Sequence, residues 1–411
     1  MRKMKDSGIE WIGEIPEDWE CFYLSQIFSQ VKNKNIGIQE TNLLSLSYGK
    51  IIRKNIETTF GLLPENFEGY NIIERDNIVL RLTDLQNDHK SLRVGLVTEK
   101  GIITSAYLTL KNKTNMSSNY FYYLLHSFDI AKGFYGMGAG VRQGLNWNEI
   151  RSLRIISPKN VPEQQRIADF LDDKVSQIDS VISKTRETIE EYKKLKQSII
   201  TEVVTGKVKI ENGKVCGKYN TYKDSGVEWI GEIPSEWSVC QIKRFAKLYN
   251  GKEIENEVIK SDYAIDVYGS GGVFKYTTNY LYDGEAVLFG RKGSIGKPLI
   301  VDGKFWTVDT MYFSTCKQEL AMNKFLFYLL KIFPWDVYTT KTALPSIVGS
   351  EIFNSFVPVP PLTSQLSLIT FLDKKCSEID KLITKKEQLV VELEAYKKSL
   401  IYEVVTGKRG V

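Results

Sequence analysis

The sequence is poor in the residues that build metal sites and covalent frameworks. Its 411 residues hold two histidines, His89 and His126, and five cysteines, Cys21, Cys216, Cys240, Cys316 and Cys376. Neither histidine lies near a cysteine or in an E-x-x-H pattern, and no cysteines form a C-x-x-C pair. This argues against a zinc site and a disulfide framework, and for reduced thiols in a cytoplasm. No apolar run reaches the roughly 20 residues that cross a bilayer. The opening MRKMKDSGIEWIGEIPEDW has no apolar h-region, so secretion is not expected. A P-loop is missing: Gly290-Arg-Lys-Gly-Ser-Ile-Gly-Lys297 has the wrong spacing, and Pro298 stands where Ser or Thr is required. The glycine-rich residues 269–272 and 133–144 do not follow a strand and open a helix, so they read as tight turns rather than dinucleotide fingerprints. No Asn-Pro-Pro-Tyr signature and no outstanding carboxylate pair is present. Nothing here points to catalysis.

What is present is repetition. Residues 164–207, QQRIADFLDDKVSQIDSVISKTRETIEEYKKLKQSIITEVVTGK, align without a gap on residues 365–408 at an offset of 201. FLD, the pairs Ile178–Asp179 and Ile379–Asp380, and EVVTGK are identical in both. Each stretch reads as one long helix that ends at Thr-Gly-Lys, with Gly206 and Gly407 as C-terminal stops. The apolar positions alternate by three and four, the seam of a coiled coil. Leu171, Ile178, Ile182 and Ile189 mark the seam of the first helix, and Leu372, Ile379, Ile383 and Val390 that of the second. Thr185 and Lys386 are poor seam residues, and the register slips after Tyr192. Each helix needs a partner, and the other is the obvious one. At 1.5 Å per residue each is a rod of roughly 60 Å.

A second repeat, KDSGIEWIGEIPEDW at residues 5–19 and KDSGVEWIGEIPSEW at 223–237, makes two tandem units of leader, globular body and long helix. The leader's tryptophans and proline read as packing that pins the chain start. The parts are the first leader and body at 1–158, the first helix at 159–207, a polar linker at 208–223, the second leader and body at 224–360, and the second helix at 361–411. Two such units suit a pseudo-twofold arrangement with antiparallel helices.

The bodies read as mixed α/β. Strands are expected at residues 77–82, 93–97 and 102–110, then at 285–289, 298–301, 306–308 and 310–314. Helices are expected at 119–128 and 324–332. The frameworks match, but the polar loops after the paired Val-Leu steps diverge. Arg, Lys, Asn and Gln among glycines suit nucleic-acid edges, because Arg reads guanine and Asn or Gln reads adenine. The candidates are Arg81, Gln86, Lys90, Arg93, Arg142, Gln143 and Asn146 in the first body. In the second they are Lys275, Arg291, Lys292, Ser294, Lys297 and Lys341. The net charge of +5 is mild, so the DNA affinity of the chain alone is expected to be weak and salt-sensitive.

The EWIGEIP leader, the Pro-containing approach to an FLD-bearing helix and the VVTGK close, each present twice, resemble the DNA-specificity subunit of type I restriction-modification systems. The likeness covers nearly the whole chain. RLTDLQND-x-x-SLRVG running on to ITSAYL, and LYDGEAVLFGRKGSIGKP-x-x-x-x-GKFWTVDT, are similar to that family's target-recognition domains. The resemblance implies two mixed α/β target-recognition domains separated by two long antiparallel coiled-coil helices. It implies that each domain reads one half of an asymmetric, split double-stranded DNA site, and that the helices set the gap. It also implies two docked modification (methyltransferase) subunits, and restriction subunits that add ATP-driven translocation and cleavage. On this reading the chain is cytoplasmic, binds no cofactor and carries no catalytic residue; S-adenosylmethionine, ATP and Mg belong to the partners. The second helix opens QLSLITFLD, without the second Gln and the Ile-Ala pair of QQRIADFLD, so asymmetric partner contacts are expected.

Overall fold

The computed structural model describes residues 2–55, 66–86, 88, 92–137, 144–342 and 344–411. The chain divides into two compact units, Met1–Thr185 with Gln388–Val411, and Arg186–Glu387. The division falls inside both long helices. Each unit therefore holds the opening of one helix and the closing turns of the other.

In the first unit, strands β1 (Phe28–Gln30), β2 (Ile78–Leu80), β3 (Val94–Leu96) and β4 (Leu108–Asn112) form an antiparallel sheet in the order β1-β4-β2-β3. Strand β2 is buried on both faces. Ile78 and Leu80 enter the main core, and Val79 enters a smaller one with Leu44, Leu46 and Ile103. That is the two-residue alternation of a strand covered on both sides. Helix α1 (Ser118–Ile130) lays Tyr120, Phe121, Leu124 and Phe128 into the main core. Ser117 caps it by accepting from the Tyr120 N–H. The single strand expected at residues 102–110 is two, Gly101–Ile103 and β4. Between them Thr104 Oγ1 accepts from Ala106 N at 3.3 Å, and the Tyr107 N–H returns to the Thr104 carbonyl, turning the chain.

Helix α2 spans Val161–Val204 and opens in this unit. In the second unit, β5 (Ala246–Asn250), β6 (Ala286–Gly290), β7 (Leu299–Val301) and β8 (Met311–Cys316) repeat the sheet in the order β5-β8-β6-β7. Helix α3 (Asn323–Ile332) takes the place of α1, and α4 spans Leu362–Val405. The stretch expected to be a plain linker carries a small hairpin, Ile210–Glu211 with Lys214–Val215, and Ile210 is buried in the second core.

The same two contacts hold each helix to its body. At the start, buried Gln164 accepts from Ser117 N and donates to the Pro158 carbonyl, both at 2.9 Å. Gln365 does the same with Met322 N and the Pro360 carbonyl, also at 2.9 Å. Eight residues on, the FLD aspartates Asp172 and Asp373 accept hydroxyls from α1 and α3. The helices run antiparallel within each unit. In the first, Leu171, Ile178 and Ile182 share a core with Val390, Leu400 and Val404, and Lys397 Nζ sits 2.5 Å from Asp179. In the second, Ile189 clusters with Ile379 and Ile383, Lys196 Nζ sits 2.6 Å from Asp380, and Leu372 lies in the main core. After Tyr192 the seam position is taken by Lys196, so the apparent slip is a lysine that finds its carboxylate. Thr185 is buried and donates its hydroxyl to the Val181 carbonyl at 2.7 Å, which removes the cost of its polarity.

The helix ends dock on leaders. In the first unit a Cβ on Gly407, whose φ is +70°, would lie 2.5 Å from Pro16 Cδ and 3.2 Å from Trp19. In the second, Gly206 (φ +74°) packs in the same way on Pro234 and Trp237. Trp19 and Trp237 are fully buried, so the leaders are packing elements.

Candidate nucleic-acid interface

In the second unit three distant segments meet. The loop between β6 and β7 carries Arg291, Lys292, Ser294 and Lys297. Arg291 N donates to the Thr310 carbonyl at 2.8 Å, and Ile347 N donates to the Arg291 carbonyl at 3.0 Å. Lys292 bridges to Ser346, and Gly293 N reaches the Pro345 carbonyl at 3.3 Å. The loop of Lys341 is thereby tied to that of Arg291. The tip of a hairpin, Ile265–Gly269 with Gly272–Thr277, completes the surface. A Cβ on Gly290 would lie 3.4 Å from Ser270 Cβ and 2.7 Å from the Ser294 carbonyl, so only glycine lets the backbones approach this closely. Lys292, Ser294, Lys297 and Lys341 are exposed, while Arg291 is half-buried with its guanidinium 5.7 Å from the Tyr312 ring centre. Lys275 lies on the hairpin's second strand, where its ammonium meets Glu257 at 2.6 Å.

In the first unit the corresponding loop, between β2 and β3, carries Arg81 and Gln86. Arg93 at its end was expected to face DNA, and the structure corrects this. Its side chain is wholly buried. Nη1 donates to the carbonyls of Arg81 (2.9 Å) and Thr83 (2.8 Å), and Nη2 to those of Asp84 (3.2 Å) and Asp88 (2.6 Å). Nε donates to the Tyr135 hydroxyl at 3.0 Å. The guanidinium is thus the peg around which the loop is wound, turning carbonyls inward. The Arg93 N–H donates to Asp129 Oδ2 at 2.7 Å. Burial pushes the Asp129 carboxyl above its usual range, and the Arg93 charge and N–H oppose the shift. Gln86 is exposed; Arg81 is half-buried and 3.5 Å from Asp88. Asn146 caps the short helix Trp147–Ile150 by accepting from Asn148 N at 2.9 Å, while Glu149 reaches back to Asn146 N at 2.6 Å. Lys90, Arg142 and Gln143, with His89, lie outside the described residues.

Two positioning pairs escaped the sequence reading. Tyr123 donates to Asp172 Oδ1 and Tyr328 to Asp373 Oδ1, each at 2.7 Å, fixing α1 and α3 on the long helices. Asn119 and Lys324 bind the second oxygen of the same carboxylates. The signal was the aspartate in the repeated FLD. The eight seam residues, Leu171, Ile178, Ile182, Ile189, Leu372, Ile379, Ile383 and Val390, are all buried. A cleft of about 720 Å³ in the second unit is lined by Lys196, Tyr328, Lys331, Asp373 and Asp380 rather than by loops. Among the described residues no group of three or more His, Cys, Asp or Glu side chains is placed to hold a metal ion.

Residues 16–191 and again 234–392 match the type I restriction modification DNA specificity domain. The chain belongs to that family. The two matched segments begin at the paired leader prolines Pro16 and Pro234. The specificity subunit of the type I restriction enzyme MjaVIII from Methanocaldococcus jannaschii is 23% identical over 428 residues, covering 96% of this chain and 93% of that protein. A chain solved in work on complex assembly and conformational transition of a type I R-M system has the same fold, with a TM-score of 0.72 at 13% identity, covering 96% of this chain and 99% of that one. The HsdS subunit from Thermoanaerobacter tengcongensis matches with a TM-score of 0.51 at 13% identity, over 96% and 98% of the two chains. The chain is thus a type I specificity subunit built from two copies of the domain. No helix among the described residues is long and apolar enough to cross a membrane.

Proposed function

We propose that each unit reads one half of a split, asymmetric double-stranded DNA site for a type I restriction-modification complex. The observation that carries this is a contrast inside one molecule. The same sheet order, the same Gln anchor and the same Tyr–Asp clamp recur. Between equivalent strands, however, one unit presents a loop wound on Arg93 and the other a loop in which Lys292, Gly293 and Ser294 are exposed. A fixed framework with two different polar loops suits two readers of different sequences.

On this reading the paired helices set the gap between the half-sites and dock two modification subunits. Restriction subunits supply translocation and cleavage. The chain itself is non-catalytic, acts in the cytoplasm and holds no cofactor; S-adenosylmethionine, ATP and Mg serve the partners. A buried base is reached by flipping, which falls to the modification subunit. Among the second unit's candidates Lys292, Ser294 and Lys297 make the DNA contacts, and in the first unit Arg81 and Gln86 do.

The test is methylome sequencing of cells that carry this chain with its modification subunit, beside cells with the modification subunit alone. A new two-part methylated motif with a fixed gap is expected. Replacing residues 25–150 with those of another member should change one half of it. A stable complex that adds no motif would reduce the chain to a scaffold.

A further inference from the structure

Strands Leu44–Ser47 and Lys50–Arg53 pair with Ser47 opposite Lys50, so Tyr48 and Gly49 are the entire turn. Both have positive φ, 47° and 77°. That is the pattern of a type I′ hairpin turn, which favours Asn, Asp or Gly at its first position. A tyrosine in the left-handed region brings its Cβ against its own carbonyl. The ring returns nothing to the fold. Tyr48 is 81% exposed, and its hydroxyl has no hydrogen-bond partner among the described residues.

The turn is nevertheless firmly mounted. The Tyr122 hydroxyl donates to the Gly49 carbonyl at 3.4 Å, and Lys50 Nζ stands 3.7 Å from Asp179. A Cβ on Gly49 would come 3.1 Å from Leu92 Cβ and 3.5 Å from the Val94 carbonyl. Leu92 belongs to the loop between β2 and β3, the loop of Arg81 and Gln86. The second unit has the same construction, with the hairpin tip at Ser270 lying against Gly290, the last residue of β6, and beside Gly293 in the loop that follows. In each unit the hairpin tip and the variable loop form one surface, and in the first unit the tip presents an aromatic ring. Strain that packing does not repay is the mark of a functional position. A tyrosine has only two side-chain torsions to fix on binding, so it offers contact area at low entropic cost.

We infer that Tyr48 is a specificity-determining DNA contact of the first unit, its ring meeting the sugar or base edge of the duplex beside the loop of Arg81 and Gln86. The inference rests on the proposal that this unit reads DNA. The experiment uses the full chain assembled with its modification subunit, in native form and with Tyr48→Gly, Tyr48→Asn and Tyr48→Phe. Three readouts are taken: melting temperature, affinity for a duplex bearing the methylated motif, and the methylome.

Tyr48→Gly and Tyr48→Asn should melt higher by about 2 °C, because the left-handed strain is relieved. They should bind the duplex about tenfold more weakly and relax only one half of the motif. Tyr48→Phe should behave as the native chain. Stability and recognition thus move in opposite directions, which a structural role cannot produce. A higher melting temperature with unchanged affinity and motif would overturn the inference, and so would a lower one. Loss of the modification subunit with unchanged discrimination in the complex that remains would assign Tyr48 to a protein contact instead. If the native complex gives no two-part motif, the proposed function fails and the inference with it. If the native motif appears and the variants do not alter it, only the inference fails.

Discussion

Tyr123 donates its hydroxyl to the carboxylate of Asp172 across 2.7 Å, and the bond is reproduced 2.7 Å long between Tyr328 and Asp373. Both tyrosines are buried, and each joins a body's aromatic helix to a long helix. Tyr123→Phe and Tyr328→Phe should each cost about 1–2 kcal/mol, because a buried bond to a carboxylate is lost. Burial first, and then the aspartate, push both phenols far above the usual tyrosine range. Above about pH 10 the unfolded chain releases those protons while the native one keeps them. This contribution to stability is therefore present below about pH 10 and declines as the pH rises further. Urea unfolding at neutral pH and at about pH 10.5 should show a smaller alkaline loss in each variant.

His126 carries the opposite dependence. Burial, then the nearby Lys397 charge, hold its imidazole down to about 4, with Asp179 pulling weakly the other way. Its ring stacks on Tyr122 at 5.8 Å. Below about pH 6.5 the unfolded chain gains a proton that the native chain refuses, so stability falls as the pH drops toward 4. The loss should approach about 3 kcal/mol, and His126→Leu should flatten that part of the pH profile.

Arg93 organises its loop from inside. Arg93→Met leaves the carbonyls of Arg81, Thr83, Asp84 and Asp88 without their donor. A loss of about 3 kcal/mol or more is expected, and Arg93→Lys should not restore it, since an ammonium lacks the planar fork. Hydrogen exchange should quicken in residues 81–88, and the methylome should lose one half of its motif while keeping the other.

Gly407→Ala places a methyl group 2.5 Å from Pro16 Cδ at a φ of +70°. Strain and clash together should cost about 2 kcal/mol, and Gly206→Ala should do the same in the second unit. Thermal unfolding followed through tryptophan fluorescence would register both, because Trp19 and Trp237 lie against these glycines.

Lys292 is exposed on the second unit's loop. Lys292→Ala should weaken DNA binding by the assembled complex across all sequences and lower the slope of log affinity against log salt by about 1. An unchanged slope would remove Lys292 from the phosphate contacts.

The long helices were legible because their evidence is periodic and written twice. Alternating apolar steps located Ile178, Ile182, Ile379 and Ile383, and identity between repeats marked Asp172, Asp373, Gly206 and Gly407. The loops were harder to read. An arginine among polar residues has the same local sequence whether its guanidinium turns outward to phosphate or inward to carbonyls, and Arg93 turns inward. The break at residues 104–107 was hidden because an apolar run gives no sign that a threonine will turn the chain. Tyr48 was invisible for a related reason. Its meaning lies in a backbone angle, and a Tyr-Gly dipeptide does not announce a turn as Asn-Gly does.

The division of the chain also sets an order of events on the ribosome. The second unit, Arg186–Glu387, is one uninterrupted stretch, whereas the first needs Gln388–Val411. Those residues supply Leu400, Ile401, Val404 and Val405 to its core, and the Lys408 ammonium that caps the Ile12 carbonyl. Of the two units, the one begun earlier is therefore completed later. Until residues 388–411 have been made, the nascent first unit exposes the apolar flank that those helix turns will cover, the reverse of the usual amino-terminal-first schedule.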